Sequence, residues 1–260
     1  MLYVTLIHPK ISVQIMLWRL RILCFYSVIC TFTLAFFIIF CLPLTIIKVK
    51  YSTKYRLAKF FSEVFITSAE FICGLKYDVE GMDMLPRQAS IAIGNHQSFW
   101  DNFIVQIIIP EHSWIIKRQL FKMPLFGWAL KMAEPIAVDR TASLSVKQIL
   151  REGQKKLEKG QWLIIFPEST RLLPGQTAKF KPSATKLAQI SKVPIVLFVH
   201  NAGVFWPKGF WIKKPGTIKI KFLEVIYPEQ AASYDVRGLT EHIEQLINNG
   251  KQVLHENEIT

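Results

Sequence analysis

Residues 90–101 read Ser90-Ile91-Ala92-Ile93-Gly94-Asn95-His96-Gln97-Ser98-Phe99-Trp100-Asp101. A short β-like run, Ser90–Ile93, leads into the glycine, and a helical run, Asn102 to Ile109, follows the aspartate. A histidine and an aspartate therefore sit at a strand-to-helix turn, where α/β folds build sites at the carboxyl ends of strands. On a continuous helix the step from His96 to Asp101 would leave the two side chains about 140° apart and out of reach. With His96 in the loop and Asp101 in the first helical turn, the carboxylate can meet one ring nitrogen. It then fixes the tautomer, steadies the imidazolium, and leaves the other nitrogen to take a proton from a hydroxyl or thiol. A plainer reading competes. Ser98-x-x-Asp101 is a capping-box pattern with Ser98 as N-cap, which accounts for Ser98 and Asp101 but not for His96.

Outward from this turn the chain alternates. Strand-like runs fall at Tyr77–Glu80, Ser90–Ile93, Ser113–Ile116, Pro135–Val138, Trp162–Phe166, Pro194–Val199 and Thr217–Val225. Helix-like runs fall at Phe99–Ile109, Leu120–Met132, Leu144–Glu158, Pro182–Ile190 and Leu239–Val253. Such alternation predicts an α/β fold with a largely parallel sheet. There is no internal repeat and no low-complexity linker.

Upstream, Ile22 to Ile47 carries no charge and is bounded by Arg19 and Arg21 on one side and Lys48 and Lys50 on the other. About 20 apolar residues suffice to cross a bilayer, so this run is long enough. A cleaved signal peptide fits less well, because the run is too long and no small-residue cleavage site is clear. Pro43 is expected to bend or end the helix near Phe40–Cys41. The basic residues that follow, Lys48, Lys50, Lys54, Arg56 and Lys59, favour a cytoplasmic side for what comes after. Spanning the bilayer and a shallow helical hairpin sunk in one leaflet both remain open, and Met16 is an alternative start. From Arg56 to Leu75, Leu57, Phe60, Phe61, Val64, Phe65, Ala69, Ile72 and Leu75 recur at helical spacing. This amphipathic helix fits either the membrane interface or the core of the globular part.

Composition narrows the classes. The chain has 260 residues, is 51% hydrophobic and carries a formal charge of +13. That balance suits an anionic membrane surface and anionic substrates better than nucleic acid, for which no motif is present. The cysteines, Cys24, Cys30, Cys41 and Cys73, lie in apolar segments without CxxC spacing. They read as buried thiols, with neither a disulfide framework nor a metal site, compatible with a reducing compartment.

Asn95-His96-x4-Asp101, followed by Phe166-Pro167-Glu168-Ser169-Thr170-Arg171, resembles the glycerolipid acyltransferases, specifically the 1-acylglycerol-3-phosphate acyltransferase family. The family's signature is NHxxxxD, an arginine block, FPEGTR and a VPIVP-like strand. The second block is similar to Glu134–Arg140 here and the fourth to Val193–Val199, so all four occur in order, over roughly Tyr55 to Tyr227. The resemblance implies a mixed, largely parallel sheet flanked by helices. It also implies an N-terminal membrane-associated helical pair over 1–75, ahead of an α/β acyltransferase domain over 76–260.

The implied reaction moves an acyl chain from a thioester to the sn-2 hydroxyl of 1-acylglycerol 3-phosphate, giving phosphatidic acid. His96 is the expected base and Asp101 its orienting partner. Arg140 and Arg171 are expected to hold the substrate phosphate, since a guanidinium offers a planar fork of donors. Lys117 follows a strand and is expected near the substrate phosphate or the anionic transition state. Glu168 is expected on the glycerol hydroxyl or orienting Arg171, with Thr170 presented by the same turn. Lys181 precedes a helix N-terminus that would add positive potential. For Lys117 and Arg140, a solvated surface charge is the plainer alternative. Ser169 and Ser183 stand where the family usually has glycine, and a positive φ at Ser169 would strain a serine. His200 reads as structural. Phe205, Trp206, Phe210 and Trp211 fit either a core or a membrane-facing rim.

No metal or cofactor is expected, only acyl-coenzyme A or acyl carrier protein as co-substrate and a phospholipid membrane as partner. The catalytic part is expected on the cytoplasmic face, in a bacterial inner membrane. The alternatives are a different acceptor (glycerol 3-phosphate, a lysophospholipid or a lyso-aminolipid) or a non-catalytic lipid-binding protein.

Overall fold

The computed structural model describes residues 9–123, 126–139 and 145–256. Seven strands form one sheet: β1 (Leu75–Glu80), β2 (Ile91–Gly94), β3 (His112–Lys117), β4 (Ile136–Val138), β5 (Trp162–Ile165), β6 (Ile195–His200) and β7 (Gly216–Ile226). Their spatial order is β1-β7-β6-β2-β5-β3-β4. Every neighbouring pair is parallel except β6 with β7. The five strands from β6 to β4 thus end on one edge of the sheet, and β1 and β7 run the other way.

The central strands β2, β5 and β6 are buried on both faces, and their residues alternate accordingly. Ala92, Ile164, Val196 and Phe198 enter one apolar cluster. Their neighbours Ile91, Ile93, Leu163, Ile165, Ile195 and Leu197 enter the other. On β7 the alternation slips at a bulge opposite Leu197 and Phe198. Phe222 therefore packs into the first cluster and Ile226 into the second, although both numbers are even.

The helices are α1 (Pro9–Phe36), α2 (Tyr51–Cys73), α3 (Asp101–Ile108), α4 (Phe126–Met132), α5 (Ser145–Glu158), α6 (Ser183–Ser191), α7 (Ala202–Phe205), α8 (Pro228–Ala231) and α9 (Val236–Glu256). α1, α2, α3 and α7 contribute to the first cluster, through Ile22, Phe25, Phe65, Ala69, Ile104 and Phe205 among others. α5, α6, α8 and α9 contribute to the second, through Ile149, Leu187, Ala231 and Ile243. The result is a three-layer sandwich, with the longer helices α1, α2, α3, α5, α6 and α9 each turning an apolar stripe to the sheet.

α1 and α2 form an antiparallel hairpin. Phe25 packs on Phe65 and, nearer the turn, Phe36 on Phe61, with ring centroids 5.5 and 5.1 Å apart. α1 ends in a widened turn at Phe37–Cys41, immediately before the short 3₁₀ turn Pro43–Thr45, as expected from Pro43. α2 ends at Gly74, whose φ of 65° lets its N–H cap the Glu70 carbonyl at 2.8 Å and turns the chain into β1.

Three local expectations need correction. The run Leu120–Met132 is not one helix but a 3₁₀ turn, Arg118–Lys122, followed by α4. On α2 the buried stripe is Ser62, Phe65, Ile66, Ala69 and Cys73, while Phe60 faces outward. Cys24 and Cys30 are exposed rather than buried, because the face that α1 turns inward carries Ile22, Phe25, Ile29 and Phe36.

Candidate active site

The carboxyl ends of β2, β5 and β6 converge on His96. Gly94 closes β2, and a Cβ there would lie 2.3 Å from the Phe198 ring, so the strands can approach only with glycine at this position. Asn95 ties β2 to β6. Its Nδ2 donates to the His200 carbonyl and its Oδ1 accepts the His200 N–H, each at 2.9 Å. The next residue, His96, leaves the sheet.

Asp101 opens α3 with its side chain fully buried. Its Oδ2 lies 3.1 Å from His96 Nδ1 and accepts the N–H groups of Gln97 and Ser98, each at 2.8 Å. Ser98 Oγ in turn accepts the Trp100 N–H at 3.1 Å. The capping-box reading needs correction: α3 begins at Asp101 after Trp100, and Ser98 Oγ takes the Trp100 N–H rather than that of Asp101, although the carboxylate that accepts the Ser98 N–H also orients the imidazole. Burial by itself pushes the Asp101 carboxyl up. The charge of His200, the hydrogen bond and charge of His96, and the Ser98 N–H outweigh it and hold the carboxyl below its ordinary value.

With Nδ1 directed at Asp101, the remaining ring nitrogen of His96, Nε2, has no hydrogen-bond partner among the described residues. The ring is about one-fifth exposed, with an 18% side-chain accessibility. The segment after β5 clamps the residue from three directions. The Phe166 ring stacks on the imidazole at 4.3 Å, Glu168 Oε2 accepts the His96 N–H at 2.9 Å, and the Leu172 N–H donates to the His96 carbonyl at 2.8 Å.

The expected site residues separate into groups. Glu168 has no side-chain exposure, and its other oxygen, Oε1, pairs with Lys251 Nζ at 3.0 Å. Its carboxylate is directed at the His96 main chain and Lys251. Among the described residues Arg171 is not its partner: one oxygen accepts from the His96 N–H and the other from Lys251. Arg171 is half-buried and makes no hydrogen bond or ion pair among the described residues. Thr170 is exposed. Lys117 is exposed at the end of β3, two strands from His96 across β5, which is about 10 Å at normal strand spacing. Lys181 is exposed just before α6, with Pro182 as the residue preceding the helix rather than its first residue. Arg140 lies outside the described residues. Ser169 adopts φ 63°, the left-handed conformation in which glycine would be unstrained.

Two residues joined the site without being singled out for it. His200 Nε2 lies 2.8 Å from the Asn95 carbonyl and 3.4 Å from Asp101 Oδ2, with the ring buried. Its place at the end of a buried parallel strand next to β2 was the available signal. Lys251, on α9, is a mostly buried lysine, and a lysine on the apolar stripe of an amphipathic helix is the kind of irregularity that marks a buried pair.

The chain matches the Acyltransferase family model over residues 76–200. A 1-acyl-sn-glycerol-3-phosphate acyltransferase from Pseudomonas aeruginosa is 34% identical over 218 residues, which is 83% of this chain and 82% of that protein. One from Saccharomyces cerevisiae is 26% identical over 71% of this chain and 63% of its own length. The crystal structure of PlsC, the 1-acyl-sn-glycerophosphate acyltransferase of Thermotoga maritima, superposes with a TM-score of 0.73 at 24% identity, covering 91% of this chain and 95% of that one. That likeness carries the fold. Together with an NHxxxxD turn whose histidine and aspartate do meet, the sequence matches show that this chain belongs to the 1-acyl-sn-glycerol-3-phosphate acyltransferase family.

Proposed function

We propose that the protein transfers an acyl chain from an acyl thioester to the sn-2 hydroxyl of 1-acylglycerol 3-phosphate, yielding phosphatidic acid. The observation that carries this reading is the 3.1 Å contact of His96 Nδ1 with a buried Asp101, which leaves Nε2 unengaged at the carboxyl edge of the sheet. His96 Nε2 removes the hydroxyl proton as the oxygen attacks the thioester carbonyl. The new C–O bond forms, the C–S bond breaks, and the proton passes from the imidazolium to the departing thiolate. Asp101 stabilises the transient imidazolium. Arg171, whose guanidinium is unpaired among the described residues, is offered to the substrate phosphate, supported by Lys117, Lys181 and Arg140, and anchoring that phosphate positions the hydroxyl. No described serine, threonine or cysteine hydrogen-bonds His96, which favours direct transfer over an acyl-enzyme. Coenzyme A and acyl carrier protein are both chemically suitable carriers of the donor.

The membrane reading rests on α1. From Val13 to Cys41 the helix is long and apolar enough to cross a bilayer. Its inner stripe is nevertheless packed along the globular part: Ile22 and Phe25 are buried, and Trp18 Nε1 donates to the Ile212 carbonyl at 3.2 Å. Crossing the bilayer would drag polar sheet and loops into hydrocarbon. A hairpin lying in one leaflet, with the catalytic edge at the cytoplasmic face, fits this packing.

The test is acyl transfer by the purified protein with 1-oleoylglycerol 3-phosphate and oleoyl-coenzyme A or oleoyl-acyl carrier protein. Wild type is compared with His96→Ala. Phosphatidic acid from wild type only is the expected result. Turnover by the variant at the wild-type rate removes His96 as base. Absence of turnover with both donors and with other lyso-acceptors favours a lipid-binding protein.

A further inference from the structure

We infer that Lys251, on the C-terminal helix, is a positioning residue for His96, acting through Glu168. The inference rests on the reading of His96 as the base. It assigns a role to α9, which otherwise serves only to cover the sheet.

The geometry leaves the ammonium little else to do. Lys251 Nζ has three acceptors: Glu168 Oε1 at 3.0 Å, the Gln176 carbonyl at 3.1 Å and Asn248 Oδ1 at 3.5 Å. An ammonium has three donors, so all are directed. The lysine side chain is 8% exposed and the glutamate 0%, so the pair is shielded from solvent. Across the carboxylate, Oε2 accepts the His96 N–H at 2.9 Å. Glu168 is thus a bridge, with its cation on one oxygen and the catalytic main chain on the other.

Without Lys251 the carboxylate is a buried charge with no counter-ion. It must then take up a proton or turn toward water. Either change weakens the bond to the His96 N–H and loosens the 166–172 segment, whose Phe166 ring and Leu172 N–H grip the same residue. Asp101 would still hold Nδ1, but the main chain carrying the ring would lose an anchor. A displacement of a fraction of an ångström there moves Nε2 relative to a bound hydroxyl, and rates are sensitive to such shifts.

The test uses the full chain in detergent micelles. Lys251→Met, Glu168→Gln and the double variant are compared with wild type. Two readouts are taken: hydrogen exchange at the His96 amide, resolved by fragmentation mass spectrometry, and kcat and KM for acyl transfer. In Lys251→Met we expect faster exchange at the His96 amide. We also expect kcat lowered on the order of ten- to a hundred-fold, with acceptor KM within about two-fold of wild type. The double variant should recover both readouts, because a carboxamide oxygen still accepts the N–H and needs no cation. That rescue separates positioning from general support of the fold.

Unchanged His96 protection in Lys251→Met overturns the inference. So does a double variant no better than the single one, or exchange raised equally across β2, β5 and β6. If Lys251→Met does not fold, the double variant alone decides: wild-type protection supports the inference and lost protection overturns it. If wild type transfers no acyl group, the proposed function fails. The exchange result still says whether Lys251 holds the His96 main chain.

Discussion

The His96 imidazole lies flat on the Phe166 ring, with centroids 4.3 Å apart and planes 3° from parallel. The contact follows from strand order: Phe166 comes directly after β5, which is hydrogen-bonded to β2, the strand that delivers His96. Trp114 and Phe198 flank Phe166 at 6.1 and 6.4 Å and fix its own orientation. Phe166→Leu keeps the apolar bulk but removes the flat surface. It should lower kcat about ten-fold while leaving acceptor KM near wild type, as expected when orientation rather than binding is lost. Steady-state kinetics decide the point. A raised KM at constant kcat would make Phe166 a wall of the substrate pocket instead.

All seven strands were legible because their apolar runs are short and bounded by turn residues, and the His96–Asp101 contact was legible on the condition that His96 lies in the loop and Asp101 in the first helical turn. The pairs that complete the site join residues far apart in the chain, and no local pattern reports them. Glu168 and Lys251 are separated by 83 positions, and Asn95 and His200 by 105. The sequence placed Glu168 correctly at the turn after β5 but not the direction of its carboxylate, which depends on Lys251 arriving from α9. The four-residue helices α7 and α8 also escaped notice, because a single turn has too little periodicity to register. Of the four aromatics at the rim, Phe205 and Trp206 turn inward and Phe210 and Trp211 outward, a distinction that only the packing of α1 decides.

His112 makes stability depend on pH in mild acid. Burial pushes its imidazole from 6.5 down to about 4, against hydrogen bonds with the carbonyls of Pro110 and Ile109. The folded protein therefore holds His112 neutral at pH values where the unfolded chain protonates it. Its contribution is fully present above about pH 6.5 and is lost as pH falls toward the folded value near 4, amounting to about 3 kcal/mol over that window. Urea unfolding at a series of pH values should show wild type losing stability through this range. His112→Asn should be less stable at pH 7.5 and should have a flatter dependence below it. Parallel curves for the two proteins would refute the assignment.

Ser169 occupies the left-handed region at φ 63°, in a turn closed by its own N–H to the Phe166 carbonyl at 3.1 Å. A side chain in this conformation costs about 1 kcal/mol relative to glycine, offset in part by glycine's greater freedom when unfolded. Ser169→Gly should therefore keep activity and raise stability by up to about 1 kcal/mol. Ser169→Val, with a branched Cβ, should lower both stability and kcat. Thermal unfolding of the three proteins tests this. A loss of stability in Ser169→Gly would mean that the seryl residue's own contacts outweigh the backbone relief.

Phe210 and Trp211 are 80% and 62% exposed, on a loop that is otherwise held firmly. Tyr26 hydroxyl donates to the Phe210 carbonyl, Trp18 Nε1 donates to the Ile212 carbonyl, and the Lys213 N–H donates to the Phe205 carbonyl. The two rings are thus exposed on a loop that α1 holds through Trp18 and Tyr26; α1 itself exposes Leu17, Leu20 and Leu23, and Lys208, Lys213 and Lys214 of the same loop are exposed. Aromatic rings next to lysines suit the headgroup boundary of an anionic membrane, where each buried ring is worth about 2 kcal/mol and each lysine about 1 kcal/mol. Replacing Phe210 and Trp211 together by serine should weaken binding to phosphatidylglycerol-containing vesicles on the order of a hundred-fold or more by that arithmetic. Turnover of a short-chain, water-soluble lysophosphatidate should be unaffected. Neutralising the three lysines should instead remove the preference for anionic over zwitterionic vesicles. If the aromatic variant sediments with vesicles as wild type does, α1 alone carries the attachment and the loop lies off the membrane.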